Sequence, residues 1–183
     1  MRNFSIGIML VSFVSVAFAS RIAEADEFKL EDGFKAFFNG KDMTGWKLRK
    51  GGDSLDGKTA TAKNRIQVLD GKLVIDGKAK GNLVIDTAHQ FAKDVHIKFE
   101  FLPDERCNND LYFRGNKFDL KKGSVKNFKP GEWHRFEIIV KGDKVEFKCN
   151  GESQRTGAAK AASSLGVRAE FGAVTFRRMR FKE

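Results

Sequence analysis

The segment PGEWHRFEIIVKGDKVEFKCNG, residues 130–151, contains the most regular pattern in the chain. On either side of the Gly142-Asp143 pair, apolar residues alternate with mostly polar ones: Phe136, Ile138, Val140, Val145, Phe147 and Cys149. A period of two is typical of a half-buried antiparallel hairpin. Because a hairpin with one apolar face is not stable alone, we expect the rest of the chain to cover that face with a second sheet.

Other parts of the chain repeat this pattern in short segments. Residues 94–102 alternate in the same way, and Asp70-Gly71 and Asn150-Gly151 are further turn signals. In the last segment, residues 174–181, the apolar phase slips by one residue near Arg177-Arg178, which predicts a β-bulge. About ten short strands and no helical period predict an all-β sandwich or barrel, and the charged outer faces of the strands favour the sandwich.

The expected core of this sandwich consists of apolar residues that share one strand face. They are Phe136, Ile138, Val140, Val145, Phe147, Val167, Phe171 and Phe176. Residues 50–65 are polar and without periodicity, which indicates a long surface loop.

The N-terminus has the composition of a secretory signal peptide. Arg2 precedes an apolar run, and Ala17-Phe18-Ala19 forms a small-x-small cleavage site. The alternative is an uncleaved membrane anchor, but the run is shorter than the ~20 residues that span a bilayer. We therefore expect a signal peptide at 1–19, a lead segment at 20–32 and a single domain at 33–183. Such a protein would be secreted or periplasmic in a bacterium, with no membrane span.

The chain is basic, with 34 Lys and Arg against 24 Asp and Glu and a formal net charge of +10. The cations are spread over turns and alternating strand positions, so we expect no nucleic-acid partner. An anionic cell-surface polymer is a partner that would suit this charge in an exported protein. Cys107 and Cys149 could form one disulfide in an oxidising compartment, although Cys149 is also in phase with the core residues of its strand.

The segment GFKAFFNGKDMTGW, residues 33–46, resembles the start of the 3-keto-disaccharide (3-keto-glucoside) hydrolase domains, which begin with Phe-(Asn/Asp)-Gly-Lys-x-Leu-x-Gly-Trp. The likeness continues in order through VLDGKL at 68–73, DVHIKFEF at 94–101, GEW at 131–133 and VTFRRMRF at 174–181. It implies a concanavalin A-like jelly-roll β-sandwich of two antiparallel sheets, with a sugar site on the concave sheet. It also implies an exported carbohydrate-active domain that cleaves a glycosidic bond of a keto sugar.

The chain also departs from this family. Members have Asn-Ser-Gly-Ile-x-x-Arg where residues 108–114 read NNDLYFR, so that the Asn and the Arg are kept and the Ser-Gly pair is replaced. The Glu-x-Gln-x-x-Asp strand that usually follows cannot be found in the sequence. These departures favour the alternative, a non-catalytic carbohydrate-binding module with a degenerate site.

The expected chemistry depends on the ketone. A 3-keto group acidifies the C2 proton, so a base can remove it and the glycosidic oxygen can leave, helped by an acid or a divalent metal. The polar faces of two predicted strands offer Glu100, Asp110 and Arg114 for this work. If the strands are neighbours, Glu100 and Arg114 form a carboxylate–guanidinium pair, either at a catalytic site or as an ordinary surface pair.

Four further residues are candidates for sugar binding: Asn108, Tyr112, His96 and Trp46. Trp46 and Trp133 could stack on sugar rings, but core packing is the more common use of such residues. His134 is expected in solvent. The three His residues lack metal-ligand spacing, so no structural metal site is predicted, while the expected reaction could use a catalytic divalent metal.

The signal-peptide prediction can be tested by N-terminal sequencing of the exported protein. We expect the mature chain to start at Ser20, or after Ala25, since Ala23-Glu24-Ala25 is a second small-x-small site. A mature chain that starts at Met1 would contradict the prediction.

Overall fold

The computed structural model describes residues 28–78 and 81–183, and its regular structure is almost entirely β. The predicted signal peptide lies outside these described residues. The strands are, in chain order, β1 Lys35–Ala36, β2 Trp46–Leu48, β3 Ile66–Leu69, β4 Lys72–Ile75, β5 Leu83–Thr87, β6 Val95–Pro103, β7 Asn108–Phe113, β8 Asn116–Lys121, β9 His134–Lys141, β10 Lys144–Cys149, β11 Glu152–Ala158, β12 Gly166–Phe171 and β13 Val174–Lys182. A short 3-10 helix, Ala62–Asn64, lies in the loop predicted at 50–65. Within the described ranges, no helix has the length and apolar character that crossing a membrane requires.

These strands form two antiparallel sheets. Sheet A has eight strands in the order β11-β10-β9-β6-β13-β4-β3, with β1 paired to β13. Sheet B has five strands in the order β2-β5-β12-β7-β8. The predicted all-β sandwich of two antiparallel sheets is confirmed.

The hairpin of β9 and β10 has the predicted register. Val140 lies opposite Val145 and Ile138 opposite Phe147, and all four side chains are buried. Strand β6 then pairs with the other side of β9, so that the inward residues of three neighbouring strands form one apolar surface. The period-two pattern therefore identified the inner face of sheet A correctly.

Aromatic rings join the two sheets. Phe118, on β8 of sheet B, stacks on Phe147 of sheet A with ring centroids 5.1 Å apart. The same ring meets Phe136 edge-on at 5.0 Å, and Phe136 stacks on Phe99 at 5.2 Å. Such contacts stabilise beyond the area that they bury. Strand β8 was not predicted, because its two inward residues, Phe118 and Leu120, are set among lysines in a segment with little visible period.

The predicted bulge in the last strand is confirmed. The pairing of β13 with β6 shifts between Arg177 and Arg180, and Arg178 has a φ of 55°. The shift returns Met179 to the core, where it is buried. The phase slip in the sequence thus marks a real change of register.

The structure places two side chains differently from the prediction and leaves both cysteines unpaired. Phe171 was expected in the core but is 55% exposed, because the pairing of β12 with β7 shifts between Arg168 and Phe171. His134 was expected in solvent but is buried, with its ring stacked on Phe101 at 4.9 Å. Cys107 and Cys149 are both free and buried, and burial raises their pKa to about 11 and about 12. They therefore serve as small core residues, with no disulfide between them.

The contrast between two phenylalanines tests this description of the core. Phe147→Ala should lower the free energy of unfolding by about 3–5 kcal/mol, because it opens a cavity between the sheets. Phe171→Ala, the matched control, should change it by less than about 0.5 kcal/mol, since its ring lies at the surface. Denaturant unfolding curves measure both values. Similar losses in the two variants would contradict the assignment of faces.

Candidate functional site

The outer face of sheet B carries a connected set of polar side chains. On β7, Leu111 and Phe113 point into the core, so Asp110 and Tyr112 lie on the outer face. The register places Arg168 of β12 on one side of Asp110 and Asp119 of β8 on the other. Polar side chains from three adjacent strands, β12, β7 and β8, therefore lie next to one another.

Asp110 is the centre of this set. Its side chain is fully buried, and its Oδ2 accepts a hydrogen bond of 2.8 Å from Arg168 Nη1. Its Oδ1 lies 3.2 Å from Lys117 Nζ but makes no hydrogen bond. The Tyr112 hydroxyl donates to Oδ2 over a long 3.4 Å. Asp110 is thus a carboxylate held between two cations, with one oxygen only partly satisfied.

The two carboxyl groups that face each other on β7 and β8 have different electrostatic environments. Burial, together with the neighbouring Asp119 carboxyl group, raises the pKa of Asp110 above its ordinary value. The Lys117 ammonium, 2.6 Å from Asp119, lowers the pKa of that carboxyl. Neighbouring acids whose pKa values are pushed apart suit the separate roles of proton acceptor and fixed charge.

Arg49 extends the network across β5. Asp86 accepts from its Nε at 3.0 Å and from its Nη2 at 2.6 Å, and the guanidinium lies 4.5 Å above the Tyr112 ring. Gly166 of β12, opposite Tyr112, makes this arrangement possible: a Cβ there would clash with Arg49 Nη2 and come within 2.7 Å of Asp86 Oδ1. Arg49 therefore lies flat across the sheet because Gly166 has no side chain.

A groove of about 560 Å³ opens beside these residues. Arg49, Tyr112 and Lys117 line its floor, and Gln90 and Ser164, joined by a 2.7 Å hydrogen bond, line its rim. The groove combines an aromatic ring with amide, hydroxyl and cationic groups. Such a lining suits a polar ring-shaped ligand.

Arg114 holds this rim in place. Its Nε donates to Lys160 O at 2.7 Å and its Nη1 to Phe91 O at 2.9 Å, while its backbone N–H donates to Ser163 Oγ. The side chain is buried and its charge is compensated by carbonyl oxygens. Arg114 is therefore a positioning residue for two loops, rather than the partner of a catalytic carboxylate.

The expected pair of Glu100 and Arg114 is wrong. Glu100 lies on β6 in sheet A, whereas Arg114 directly follows β7 in sheet B, so the two strands are not neighbours. Glu100 instead accepts from Arg177 at 2.6 Å and from Arg178 at 2.9 Å. This interaction occupies the bulge of β13 and stabilises the outer face of the other sheet.

The structure places the four expected sugar-binding residues in three different parts of the molecule. Tyr112 lines the groove and Asn108 lies on the same strand face, four residues along β7. His96 lies on sheet A, where its Nε2 is 2.6 Å from Glu137 Oε2. Trp46 is fully buried in the core and cannot contact a ligand, which corrects that assignment. Trp133 is half-buried beneath the Arg177 guanidinium, 3.9 Å from its ring.

Four residues of this polar set were not predicted from the sequence: Arg49, Lys117, Asp119 and Arg168. Arg168 was visible as a polar position in an alternating strand, but no local signal separated it from an ordinary surface arginine. Lys117 and Asp119 fall in β8, which was not predicted. Arg49 lies in a loop whose contact with Asp86, 37 residues away, depends wholly on the fold.

The residues on this face do not suit a divalent cation. The described part of the chain contains no group of three or more His, Cys, Asp and Glu residues arranged to hold a metal ion. Asp110 and Asp119 share the Lys117 ammonium, and Asp110 also accepts from Arg168. Positive side chains at these positions would repel a metal ion.

Comparison with known proteins identifies a family for this chain and solved structures that share its fold. The sequence profile of the 3-keto-alpha-glucoside-1,2-lyase-like domain matches residues 33–127. No protein with a curated description matches the sequence. The chain is similar in structure to a candidate glycosyl hydrolase from Parabacteroides distasonis, with a TM-score of 0.63 and 20% identity over 82% of this chain and 93% of that one.

Two further solved structures share the fold. The carbohydrate-binding module CBM66 from Bacillus subtilis has a TM-score of 0.52 and 11% identity, over 77% of this chain and 97% of that one. An alginate lyase from Corynebacterium sp. has a TM-score of 0.50 and 12% identity, over 76% of this chain and 94% of that one. At these identities the likeness shows the fold alone.

The electrostatic description of the carboxyl pair can be tested by NMR titration of the side-chain carboxyl carbons. We expect the pKa of Asp110 above 3.8 and that of Asp119 below 3.8. Lys117→Met should raise the pKa of Asp119, because the ammonium that favours its charged form is removed. Lys144→Met, on sheet A, is the matched control. An Asp119 pKa that stays unchanged in Lys117→Met would contradict the assignment.

Proposed function

The chain belongs to the family of 3-keto-alpha-glucoside-1,2-lyase-like domains, and from this premise we propose that it acts on a carbohydrate bound in the groove on sheet B. The proposed reaction is cleavage of the glycosidic bond of a 3-keto sugar. One observation carries the proposal. Asp110, whose carboxyl group has a raised pKa, lies beside the groove where β7, β8 and β12 meet.

The groove offers suitable partners for a sugar. Gln90 and Ser164 present an amide and a hydroxyl group at the rim, which can exchange their mutual hydrogen bond for bonds to sugar hydroxyls. Asp86 accepts from two nitrogens of the Arg49 guanidinium, Nε and Nη2, and the Arg49 side chain remains 40% exposed. Its other N–H groups can donate to a ketone oxygen.

In the proposed reaction, Asp110 acts as the base. Its carboxylate accepts the proton from C2, and the electron pair of the C–H bond forms an enolate whose oxygen is held by Arg49. The enolate then expels the glycosidic oxygen from C1, and that oxygen takes a proton from the Lys117 ammonium. The raised pKa makes Asp110 a stronger base than an ordinary aspartate.

Access to Asp110 requires movement of Lys117. The lysine side chain is 46% exposed and lies over the buried carboxylate. A long flexible side chain at the surface changes rotamer within nanoseconds, so this cover is easily opened. Substrate in the groove would replace the ammonium at Asp110 Oδ1.

The second candidate function is carbohydrate binding without chemistry. The two cationic partners of Asp110 favour this alternative, because cations beside a carboxylate stabilise its charged form and make it a weaker base. The same groove would then hold the sugar through Arg49, Gln90 and Ser164. Only an activity measurement separates the two candidates.

Export and an anionic polymer partner remain predictions. On the outer face of sheet A, many cations are paired with acids: Arg180 and Lys98 with Glu31, and Arg177 with Glu100. Arg180 and Lys98 also lower the pKa of Glu31 to about 2. This pairing reduces the positive charge that sheet A would offer to a polymer.

The proposed function is tested by the release of sugar from 3-keto-disaccharides, with and without added divalent metal. Asp110→Asn should lower turnover by about 10²–10⁴-fold, the usual contribution of a general base. The melting temperature should fall only slightly, because Arg168 keeps Glu170 and Lys117 keeps Asp119 as partners.

Glu146→Gln, on the outer face of sheet A, is the matched control and should retain full activity. If Glu100→Gln rather than Asp110→Asn abolishes turnover, the active site lies on sheet A and the proposal is wrong. If the wild-type protein binds sugar but no variant turns it over, the binding function is supported instead.

A further inference from the structure

We propose that Phe171 is a second sugar-binding subsite on the outer face of sheet B, so that the ligand is an oligosaccharide of at least three rings. This inference rests on the proposed function, since it adds a second contact for the carbohydrate bound in the groove. It names a ligand class and a residue that the family match, which ends at residue 127, does not include.

The register of β12 places Phe171 on the face that carries Asp110. Arg168 pairs with Asp110, but the next pairing is Phe171 with Asn108, so three steps on β12 match two on β7. The extra residue forms a bulge. Because residues directly opposite each other in a sheet share a face, Phe171 joins Asn108, Asp110 and Tyr112 on the outer side.

A buried amide holds this bulge. Asn109 is fully buried, and its Oδ1 accepts the backbone N–H of Glu170 at 2.9 Å while its Nδ2 donates to Phe171 O at 3.1 Å. Gly172 follows with a φ of 69°, and a Cβ there would clash with the backbone of Arg106. The position of the Phe171 ring is thus fixed by its own backbone.

The ring is available to a ligand. Phe171 is 55% exposed, and its neighbour Arg106 lies 5.9 Å from the ring centroid. A single exposed apolar residue is ordinary on protein surfaces. Here, however, strict alternation along β12 would place the Phe171 ring in the core. The bulge turns the ring outward instead, and the buried side chain of Asn109 stabilises that bulge. An aromatic ring beside a guanidinium can stack on the apolar face of a sugar ring while the arginine donates to its hydroxyls.

The distance between Phe171 and the groove residue Tyr112 determines how long a ligand must be to contact both. Phe171 pairs with Asn108, and the groove residue Tyr112 lies four positions away on β7, or about 13 Å at the usual rise of a strand. Asp110 lies midway between them. This span is longer than one pyranose ring, so a sugar in the groove and another on Phe171 leave room for a ring over Asp110.

The test measures affinity against ligand length. Linear gluco-oligosaccharides of two to five units are titrated by calorimetry into the wild-type protein, Phe171→Ala and Phe171→Trp. We expect wild-type affinity to rise about tenfold between two and four units, which corresponds to about 1.4 kcal/mol. Phe171→Ala should abolish this rise and leave disaccharide affinity unchanged, whereas Phe171→Trp should keep it. Leu69→Ala removes another exposed apolar side chain, on sheet A, and is the matched control.

The outcomes separate the two proposals. If Phe171→Ala shows the same rise as wild type, or if the wild type shows none, the subsite is overturned while sugar binding in the groove stands. If the wild type binds no oligosaccharide of any length but retains its fold, the subsite is overturned, whereas the proposed function is decided separately by the release of sugar from 3-keto-disaccharides.

Discussion

The two sheets are held face to face by Phe118, whose ring stacks on Phe147 and meets Phe136 edge-on. These rings come from β8 of one sheet and from the β9–β10 hairpin of the other, and they fix how the two sheets face each other. Once the inner faces are closed, period-two alternation leaves every second residue on the outside. The polar set around Asp110 is the outward half of strands whose inward half is the core.

The pairing register shifts within two strands, β13 and β12, and the two shifts have different results. In β13 the shift between Arg177 and Arg180 returns Met179 to the core and brings two arginines to Glu100. In β12 the shift after Arg168 takes Phe171 out of the core and is stabilised by Asn109. The first bulge keeps the Met179 side chain in the core, whereas the second leaves the large aromatic ring of Phe171 exposed. We infer that the cost of the second is offset by a surface role.

The two outer faces differ in how they treat their acids. On sheet A, Glu100 lies between Arg177 and Arg178, and the pKa of the more exposed Glu31 is lowered by its cationic partners. On sheet B, Asp110 is fully enclosed, and burial raises its pKa despite Arg168 and Lys117. A carboxylate that is stabilised in its charged form is a poor base, whereas one that is desolvated is a better base. This difference, rather than the number of charges, separates a structural ion pair from a candidate reactive group.

Local patterns in the chain were enough to predict the hairpins, the inner faces of their strands, the bulge at Arg177-Arg178 and the family. Each of these follows from a pattern that is local in the chain, either a period of two or a motif. The assignment of β6 and β7 to different sheets became visible only in the folded structure. This assignment separates Glu100 from Arg114. The pairing of β7 with β12 brings Asp110 to Arg168, 58 residues away. The tertiary structure also decided the burial of His134 and the exposure of Phe171. Alternation shows which way a side chain points within its own strand, but the choice of neighbouring strands depends on how all the apolar faces pack together, and no single segment contains that information.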